Sequence, residues 1–382
     1  MNKKFLHIET PFYYYDTSLL QATLDSINKE VEQHPNYHVH YALKANANPK
    51  LLHIIQQAGF GADCVSGGEV QAAIDAGFPA DKVVYAGVGK SDREILTALK
   101  NNIFCFNVES VPELQIINEL AEKENQKAHV CLRINPDVEA HTHTHIITGM
   151  AENKFGIALH DMMHVVELAN VLPNIQFDGL HFHIGSQITN MHDYVLLCER
   201  INEIQVVLNR QGIYPSVINV GGGLGIDYNS PEEHPIANFK EYFRVFNQYL
   251  HLRPEQSLHF ELGRSVVAQC GSLITSVLYV KQTAAKQFVI VDAGMTDLIR
   301  PALYQAKHKI VNLTSQSDMR ETYDVVGPIC ESSDVFDKEV LLPTTRRGDI
   351  IAIRSAGAYG EVMASTYNCR SLPKSYTDYE VE

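Results

Sequence analysis

The segment Gly61-Ala62-Asp63-Cys64-Val65-Ser66-Gly67-Gly68-Glu69 joins a short β-rich run to the start of a helix, and this junction decides the fold. Ser66 can cap the first helical turn, and Glu69, three residues later, completes a capping box. The same junction recurs at Ser91-Asp92-Arg93-Glu94 and at Ser110-Val111-Pro112-Glu113. Repeated junctions of one kind predict a chain built from βα units.

Short β-rich runs alternate with longer helical patterns from about residue 37 to residue 261. This alternation predicts parallel strands joined by crossover helices. Eight such units in succession fit a closed (β/α)8 TIM barrel better than an open doubly wound sheet, so functional groups belong at the carboxyl ends of the strands. The predicted strands span 38–43, 61–65, 82–86, 103–107, 128–134, 176–183, 216–220 and 257–261.

The pattern changes after residue 265 to short β-branched runs without long helical patterns between them, which predicts a second, all-β domain. Phe12-Tyr13-Tyr14-Tyr15 is also strand-like. A chain of 382 residues is longer than one hydrophobic core usually supports. We therefore expect an N-terminal strand segment that joins the β domain, a barrel, and a C-terminal β domain, spanning 1–25, 26–264 and 265–382.

Composition and charge exclude several classes of function. The net charge of −14, without a cluster of Lys and Arg, argues against nucleic-acid binding. No apolar run has the length of a membrane span or a signal-peptide core, so we expect a cytoplasmic protein with no membrane partner. The seven cysteines are dispersed and form no C-x-x-C pair, which argues against disulfides and zinc. His141, His143 and His145 alternate, but we interpret them as a solvated cluster and expect no metal.

Polar groups follow four of the predicted barrel strands. A lysine at the end of a buried strand is desolvated, which favours the neutral amine that attacks an aldehyde. A glycine run exposes backbone amides to a phosphate, and a carboxylate can hold a protonated pyridine nitrogen, so together these groups meet the needs of pyridoxal 5'-phosphate (PLP). Each alone also fits a structural role: a surface lysine, a tight turn, a core histidine or an ion pair. The groups are Lys44, His183 with Ser186, Gly221-Gly222-Gly223-Leu224-Gly225, and Glu261 with Arg264.

Ten segments, in order over nearly the whole chain, resemble those of the PLP-dependent decarboxylases with an alanine-racemase-like barrel, the diaminopimelate decarboxylases most of all. That family also holds ornithine and arginine decarboxylases. The segments are YALKAN (41–46), VSGGE (65–69), FNVES (106–110), KFGI (154–157), GLHFHIGSQ (179–187), NVGGGLG (219–225), ELGR (261–264), DAGMTDLIRPALY (292–304), VGPICESSD (326–334) and AGAYGEVMASTYNCR (356–370).

The resemblance implies a role for each matching residue. Lys44 would carry the cofactor as a Schiff base, Glu261 would pair with the ring nitrogen, and Cys330 would protonate the product carbanion. Cys330 would reach the active site of a second subunit, which implies a homodimer with shared sites. The remaining cofactor contacts implied are His183 on the ring face, Ser186, Gly222, Gly223 and Arg264 around the phosphate, Gly263 between Glu261 and Arg264, and Tyr359.

The residue after Cys330 bears on the substrate. Ornithine-type relatives usually have Asp there, whereas this chain has Glu331, and Arg300 and Tyr304 stand in the preceding motif. Diaminopimelate carries an amine and a carboxylate at its far end, so it requires an anion and a bidentate cation. We therefore expect decarboxylation of meso-2,6-diaminopimelate to L-lysine, the last step of lysine biosynthesis, with Arg264 and Tyr359 completing the substrate contacts.

Several alternatives stay open at this point. The chain could act on carboxynorspermidine, ornithine or arginine, or it could be a PLP-dependent racemase or a non-catalytic binding protein. Two positions depart from the family pattern: Leu262 and Ser371 each replace a proline. Loss of the proline beside Glu261 removes a fixed φ, but Glu261, Gly263 and Arg264 are retained, so we expect activity to survive.

Overall fold

A computed structural model describes residues 5–138 and 154–381. The chain divides into two compact units. The first, which we call the barrel unit, comprises the described residues from Leu24 to Gly225 together with Asn238–Gly263. The second, the β unit, comprises those up to Thr23, Ile226–Ala237, and those from Arg264 onward. No helix in the described part of the chain is both long and apolar enough to cross a membrane.

Parallel strands β2 to β9 close a barrel of eight strands within the described residues of the barrel unit. The predicted (β/α)8 class is therefore confirmed, and each strand lies within about two residues of its predicted position. Its elements are, with the leading helix, α1 (Thr17–Val31), β2 (Tyr37–Ala42), α2 (Pro49–Gln57), β3 (Gly61–Cys64), α3 (Gly67–Asp75), β4 (Val83–Tyr85), α4 (Asp92–Lys100), β5 (Cys105–Val108), α5 (Val111–Lys123), β6 (Ala128–Arg133), α6 (Met162–Val171), β7 (Ile175–His181), α7 (Met191–Arg210), β8 (Val217–Asn219), α8 (Phe239–Tyr249) and β9 (Ser257–Leu262).

The serine caps form as the sequence predicts. Ser66 accepts a hydrogen bond from the amide of Glu69, and Ser110 accepts one from the amide of Glu113. The Glu69 carboxylate reaches back to the amide of Val65 at 2.8 Å, which ties strand β3 to helix α3. Such side-chain acceptors satisfy helix-terminal amides that have no partner within the helix, so each helix starts at a defined residue after its strand.

The register of the strands brings distant residues to one end of the barrel. Ala42 of β2 lies opposite Asp63 of β3, and Tyr41 of β2 lies opposite Leu262 of β9. His181, the last residue of β7, lies opposite Asn219 of β8. All are at or near the carboxyl ends of parallel strands, which is where a barrel presents its functional groups.

The β unit is built on a mixed sheet in which the strands follow the order β12-β15-β10-β11-β13-β14. Strand β1 pairs with β10 in the antiparallel sense and with β16 in the parallel sense, so the N-terminal strand belongs to this sheet. The elements are β1 (Phe12–Tyr15), α9 (Arg264–Val267), β10 (Gly271–Gln282), β11 (Gln287–Val291), α10 (Arg300–Tyr304), β12 (Ile310–Asn312), β13 (Arg320–Val326), β14 (Val335–Pro343), β15 (Ile350–Ile353), β16 (Lys374–Thr377) and α11 (Asp378–Val381).

Two buried histidines form a hydrogen-bonded chain inside the barrel, below its carboxyl end. His40 Nδ1 lies 3.0 Å from the carbonyl oxygen of Lys82 and must donate to it, so His40 Nε2 accepts from His259 Nδ1 at 2.8 Å. His259 Nε2 in turn accepts from the hydroxyl of Ser257 at 2.9 Å. This chain fixes one neutral tautomer for each ring. Burial lowers the pKa of His40 to about 4 and that of His259 well below its ordinary value.

We expect this histidine chain to make the barrel unit sensitive to acid. A histidine has a pKa of about 6.5 in the unfolded chain. Above that pH His40 is neutral in both the folded and the unfolded state, so it does not lower the free energy of unfolding. Stability is lost as the pH falls from about 6.5 towards 4, because only the unfolded state takes up the proton; by pH 5 the loss is about 2 kcal/mol for His40 alone. Urea unfolding at pH 7.5 and 5.0, followed by circular dichroism because the chain has no tryptophan, measures it.

The matched variants are His40→Asn, which keeps a donor for Lys82 but does not titrate, and His160→Asn at an exposed position. His40→Asn should lose less stability between the two pH values than the parent, whereas His160→Asn should follow the parent. Equal losses in all three proteins would show that His40 does not carry the acid sensitivity.

Candidate active site

Lys44 lies in a short 3-10 turn, Leu43–Ala45, that follows strand β2. Its Nζ is 3.7 Å from Oδ2 of Asp63, the third residue of strand β3. The Lys44 side chain is 39% exposed, so burial accounts for only part of the environment that the sequence predicts for it. The Asp63 side chain, by contrast, is fully buried. The predicted Schiff-base lysine therefore lies beside a buried carboxyl group that the sequence did not point to.

Glu261 lies in strand β9 and is held by three side chains from other strands. Its Oε1 accepts hydrogen bonds from Asn107 Nδ2 at 2.9 Å and from Asn219 Nδ2 at 2.8 Å, and its Oε2 is 3.1 Å from His181 Nε2. Burial alone would raise the pKa of Glu261, but the electrostatic interactions with His181 and Lys44 and the His181 hydrogen bond outweigh it, so the pKa is lowered. Glu261 is thus a buried, oriented carboxylate.

His183 stands two residues beyond strand β7, and its Nδ1 accepts a hydrogen bond from the amide of Gly222 at 3.3 Å. Burial and the charges of Arg133 and Lys44 lower the pKa of His183 well below its ordinary value, so the ring is neutral. A neutral imidazole at this place can lie against an apolar ring face. Ser186, the other residue predicted after this strand, is half-buried in the turn that follows.

The glycine turn, Gly221–Gly225, follows strand β8 and has no room for side chains. A Cβ on Gly222 would lie 1.8 Å from the carbonyl oxygen of Glu261, and one on Gly223, where φ is +100°, would lie 2.5 Å from that of Gly185. The amides of Gly221, Gly222 and Gly225 donate within the barrel unit, whereas those of Gly223 and Leu224 make no hydrogen bond to any described residue. Two adjacent amides without partners can bind an anion such as a phosphate.

Gly263 closes strand β9 against the turn that carries Lys44. A Cβ at Gly263 would lie 3.1 Å from the Cβ atoms of both Ala42 and Ala45. The small residues around Lys44 therefore let the two strand ends pack closely. The structure brings together five features within the barrel unit: Lys44, His183, Glu261, Gly263 and the glycine turn.

Arg264 begins the β unit and lies among tyrosines. Its Nη1 donates to the hydroxyl of Tyr228 at 2.7 Å, and its guanidinium lies 5.0 Å from the ring centre of Tyr359. Tyr359 has a left-handed backbone with φ of 56°, a strained conformation for a non-glycine residue that is common at functional sites. Arg264 and Tyr359, predicted from separate motifs, thus lie side by side.

Arg300 is buried and also lies against Tyr228, 5.0 Å from its ring centre. Its Nη1 donates to Nε2 of His308 at 2.8 Å, and His308 Nδ1 donates to the carbonyl oxygen of Arg354. Burial and the charge of Arg300 lower the pKa of His308 to about 3, so His308 is neutral. In the described part of the chain no carboxylate forms an ion pair with Arg300. Tyr304, at the end of the same helix, is exposed.

Cys330 and Glu331 are exposed and are held by the segment that contains Asn368. The Cys330 amide donates to Asn368 Oδ1 at 3.0 Å, and the Tyr367 hydroxyl donates to Glu331 Oε1 at 2.5 Å. No ion pair joins Arg300 to Glu331 among the described residues. The segment carrying the predicted proton donor is therefore oriented by its own unit, while its side chains face outward.

Sequence reasoning missed Asp63, His181, Asn107, Asn219 and Tyr228. His181 had a usable signal, because it alternates with His183 and residues two apart on a strand share one face. Asp63 stands two residues before the end of a predicted strand but belongs to none of the segments that resemble the family. The described residues include no group of three His, Cys, Asp or Glu side chains arranged to hold a metal, and His141, His143 and His145 lie outside them.

Comparisons with known proteins agree with this geometry. Residues 19–268 match the family model described as pyridoxal-dependent decarboxylase, pyridoxal binding domain. The chain is 62% identical to the diaminopimelate decarboxylase of Bacteroides thetaiotaomicron over 99% of this chain and 98% of that protein. It is 42% identical to that of Vibrio cholerae over 94% of this chain and 85% of that one.

Solved structures give the same result. The crystal structure of diaminopimelate decarboxylase from Helicobacter pylori complexed with L-lysine superposes with a TM-score of 0.92 at 40% identity, covering 98% of this chain and 93% of that one. Lysine/ornithine decarboxylase from Vibrio vulnificus, complexed with putrescine, superposes with a TM-score of 0.85 at 21% identity over 99% of this chain and 97% of that one, which shows a shared fold.

Proposed function

This chain belongs to the pyridoxal-dependent decarboxylases, the family that includes the diaminopimelate decarboxylases, and from that premise we propose that it converts meso-2,6-diaminopimelate to L-lysine and carbon dioxide. The observation that carries the proposal is the convergence, at one end of the barrel, of an amine, a glycine turn with two available amides, and an oriented carboxylate. These are the three groups that PLP requires of a protein.

The residues present fit the cofactor. Lys44 would hold the PLP aldehyde through its amine, the amides of Gly223 and Leu224 would bind the phosphate, and Glu261 would hold the ring nitrogen in its protonated form. His183, neutral and bound to Gly222, would lie on the ring face. When bound, PLP supplies an electron sink for the pair of electrons left as the carboxylate departs.

We propose that Arg300 binds the distal carboxylate of the substrate. Arg300 is buried without a carboxylate partner among the described residues, and such a cation is costly unless an anion joins it. The distal carboxylate of diaminopimelate is an anion of the right geometry for a guanidinium. Arg264 and Tyr359 would act at the phosphate and at the reacting end of the substrate, and Tyr304 near the distal end.

Cys330 would protonate the carbanion, and Glu331 would bind the distal ammonium group. Both side chains are exposed on this chain, which is unexpected for residues of an active site unless another surface covers them. We propose that the covering surface is the barrel of a second copy, so that the enzyme is a homodimer with two shared sites. A thiol suits the role, since a pKa of about 8.5 keeps an unperturbed cysteine mostly protonated at neutral pH.

An assay of carbon dioxide release tests the reaction directly. The purified holoenzyme should release carbon dioxide at least about 100 times faster from meso-diaminopimelate than from ornithine, arginine or carboxynorspermidine. None of these three has a distal carboxylate, and leaving the buried Arg300 without that partner costs about 3 kcal/mol. Faster release from any of the other three amino acids would show that the substrate assignment is wrong. Racemisation without release would instead indicate a racemase.

Replacing Arg300 with alanine should raise the KM for diaminopimelate by about 100-fold while PLP stays bound, because a charged hydrogen-bonding pair is lost only at the distal end of the substrate. Arg300→Lys keeps the positive charge but loses the planar, bidentate guanidinium. Its KM should therefore lie between that of the parent and that of Arg300→Ala. Thermal unfolding of both variants controls for the loss of the His308 contact. Release of PLP from Arg300→Ala would contradict the distal assignment.

A further inference from the structure

We propose that Asp63 is the proton-exchange partner of Lys44. It takes a proton from the lysine ammonium group before the amine reacts with an aldehyde, and it returns a proton when substrate displaces the amine. This inference deepens the proposed function and rests on it. The evidence is in the placement and in the contacts of the Asp63 carboxyl group, which no motif of the sequence explains.

The first observation is the isolation of the Asp63 carboxyl group. The residue is 1% exposed, and neither Oδ1 nor Oδ2 has a hydrogen-bond partner among the described residues. Its closest charged neighbour is Lys44, whose Nζ lies 3.7 Å from Oδ2. A flexible lysine side chain can shorten that separation to the hydrogen-bond distance of about 2.9 Å by rotation alone.

Two other buried carboxylates of the barrel unit, those of Glu109 and Glu261, do have hydrogen-bond donors. Glu109 accepts hydrogen bonds from the amides of Gly87 and Gly156 and from Arg133, and Glu261 accepts from three side chains. Buried carboxylates with a structural role have such donors, because an unsatisfied one costs several kcal/mol. Asp63 has none among the described residues, so its position is explained by the group that it faces, which is Lys44.

The charges around Asp63 favour its protonated form. Burial and the negative charges of Glu261 and Glu69 raise its pKa, whereas the positive charges of Lys44 and Arg133 lower it, and the balance leaves the pKa well above its ordinary value. When Lys44 is cationic, the pair is an ammonium beside a carboxylate. When the proton moves from Nζ to Oδ2, the pair becomes a neutral amine beside a neutral acid, and no other reactant is needed.

This exchange meets a requirement of the proposed function. A lysine amine attacks an aldehyde only when it is neutral, and after a substrate amine displaces it, it takes up a proton again. A buried acid within reach can hold that proton beside the amine. Asp63 would therefore change how the rates of both events depend on pH, without touching the phosphate or the distal end of the substrate.

The test compares Asp63→Asn, Asp63→Ala and Glu69→Gln in two measurements over pH 6 to 10. The first is the rate at which the cofactor-free chain recombines with PLP, followed by absorbance. The second is the rate at which diaminopimelate displaces Lys44 in a single turnover of the holoenzyme. Glu69→Gln is the matched control, because it removes a negative charge near Asp63. Glutamine has the same shape as glutamate and keeps one oxygen that can accept the hydrogen bond from the Val65 amide.

Both Asp63 variants should slow recombination and displacement by about 10- to 100-fold near pH 7, with PLP content and KM within about threefold of the parent. Their pH profiles should lack the ionisation seen in the parent, and Glu69→Gln should retain it. Superimposable pH profiles for parent and Asp63→Asn, or equal losses in Glu69→Gln, would overturn the proposal. Failure of the proposed function would look different: the parent would recombine with PLP but release no carbon dioxide from diaminopimelate.

Discussion

Replacing Lys44 with alanine should lower the rate of carbon dioxide release by at least about 1,000-fold, equivalent to about 4 kcal/mol of the activation free energy. It should also remove the visible absorbance of the bound cofactor. The expected loss is large because no other described lysine can take the place of Lys44: none has its amine beside both Asp63 and the strand end that carries Glu261. If Lys44 holds PLP as proposed, the variant would bind the cofactor only through non-covalent contacts, and substrate would have no lysine imine to exchange with.

Lys44→Arg is the matched control, since arginine keeps the positive charge beside Asp63 but does not form an imine with an aldehyde. It should be as inactive as the alanine variant. Circular dichroism should show both variants folded, because the Lys44 side chain is partly exposed and fills no core. A borohydride-reducible bond between PLP and the Lys44→Ala protein would contradict this prediction by placing the cofactor on another lysine.

Replacing Cys330 with alanine should lower kcat by between about 100- and 10,000-fold, the range that a positioned general acid contributes. PLP content should not change, because Cys330 is not among the residues proposed to hold the cofactor and its amide is bound to Asn368. Cys369→Ala is the matched control, because it removes another exposed thiol, one residue from Asn368. It should keep kcat within about threefold of the parent, and an equal loss in both variants would show that Cys330 is not the specific donor.

The two inactive variants also test whether active sites are shared. If Cys330 serves the barrel of a second copy, mixing Lys44→Ala with Cys330→Ala and allowing subunits to exchange creates dimers with one intact site. Random exchange makes half of the dimers mixed, each with one intact site out of two, so activity should recover to about one quarter of the parent value. No recovery after demonstrated exchange would show that each chain supplies both residues to its own site.

Much of this protein is determined by local sequence. The alternation of β-rich and helical runs, with serine caps such as Ser66 and Ser110, is a short-range property, and it was sufficient to predict eight strands close to their observed positions. The glycine turn is local in the same sense, since only glycine fits beside the carbonyl of Glu261. Lys44 and Cys330 stand in motifs that identify the family without reference to any contact.

Only the tertiary structure decided which side chains meet. Asp63 faces Lys44 because β3 pairs with β2 in one register, and His181 and Asn107 reach Glu261 because the barrel closes through strands far apart in the chain. It also decided that Ile226–Ala237, within the range predicted for the barrel, belongs to the β unit. Such pairings depend on register and closure, which involve residues tens to hundreds of positions apart and leave no periodic trace in a short window of sequence.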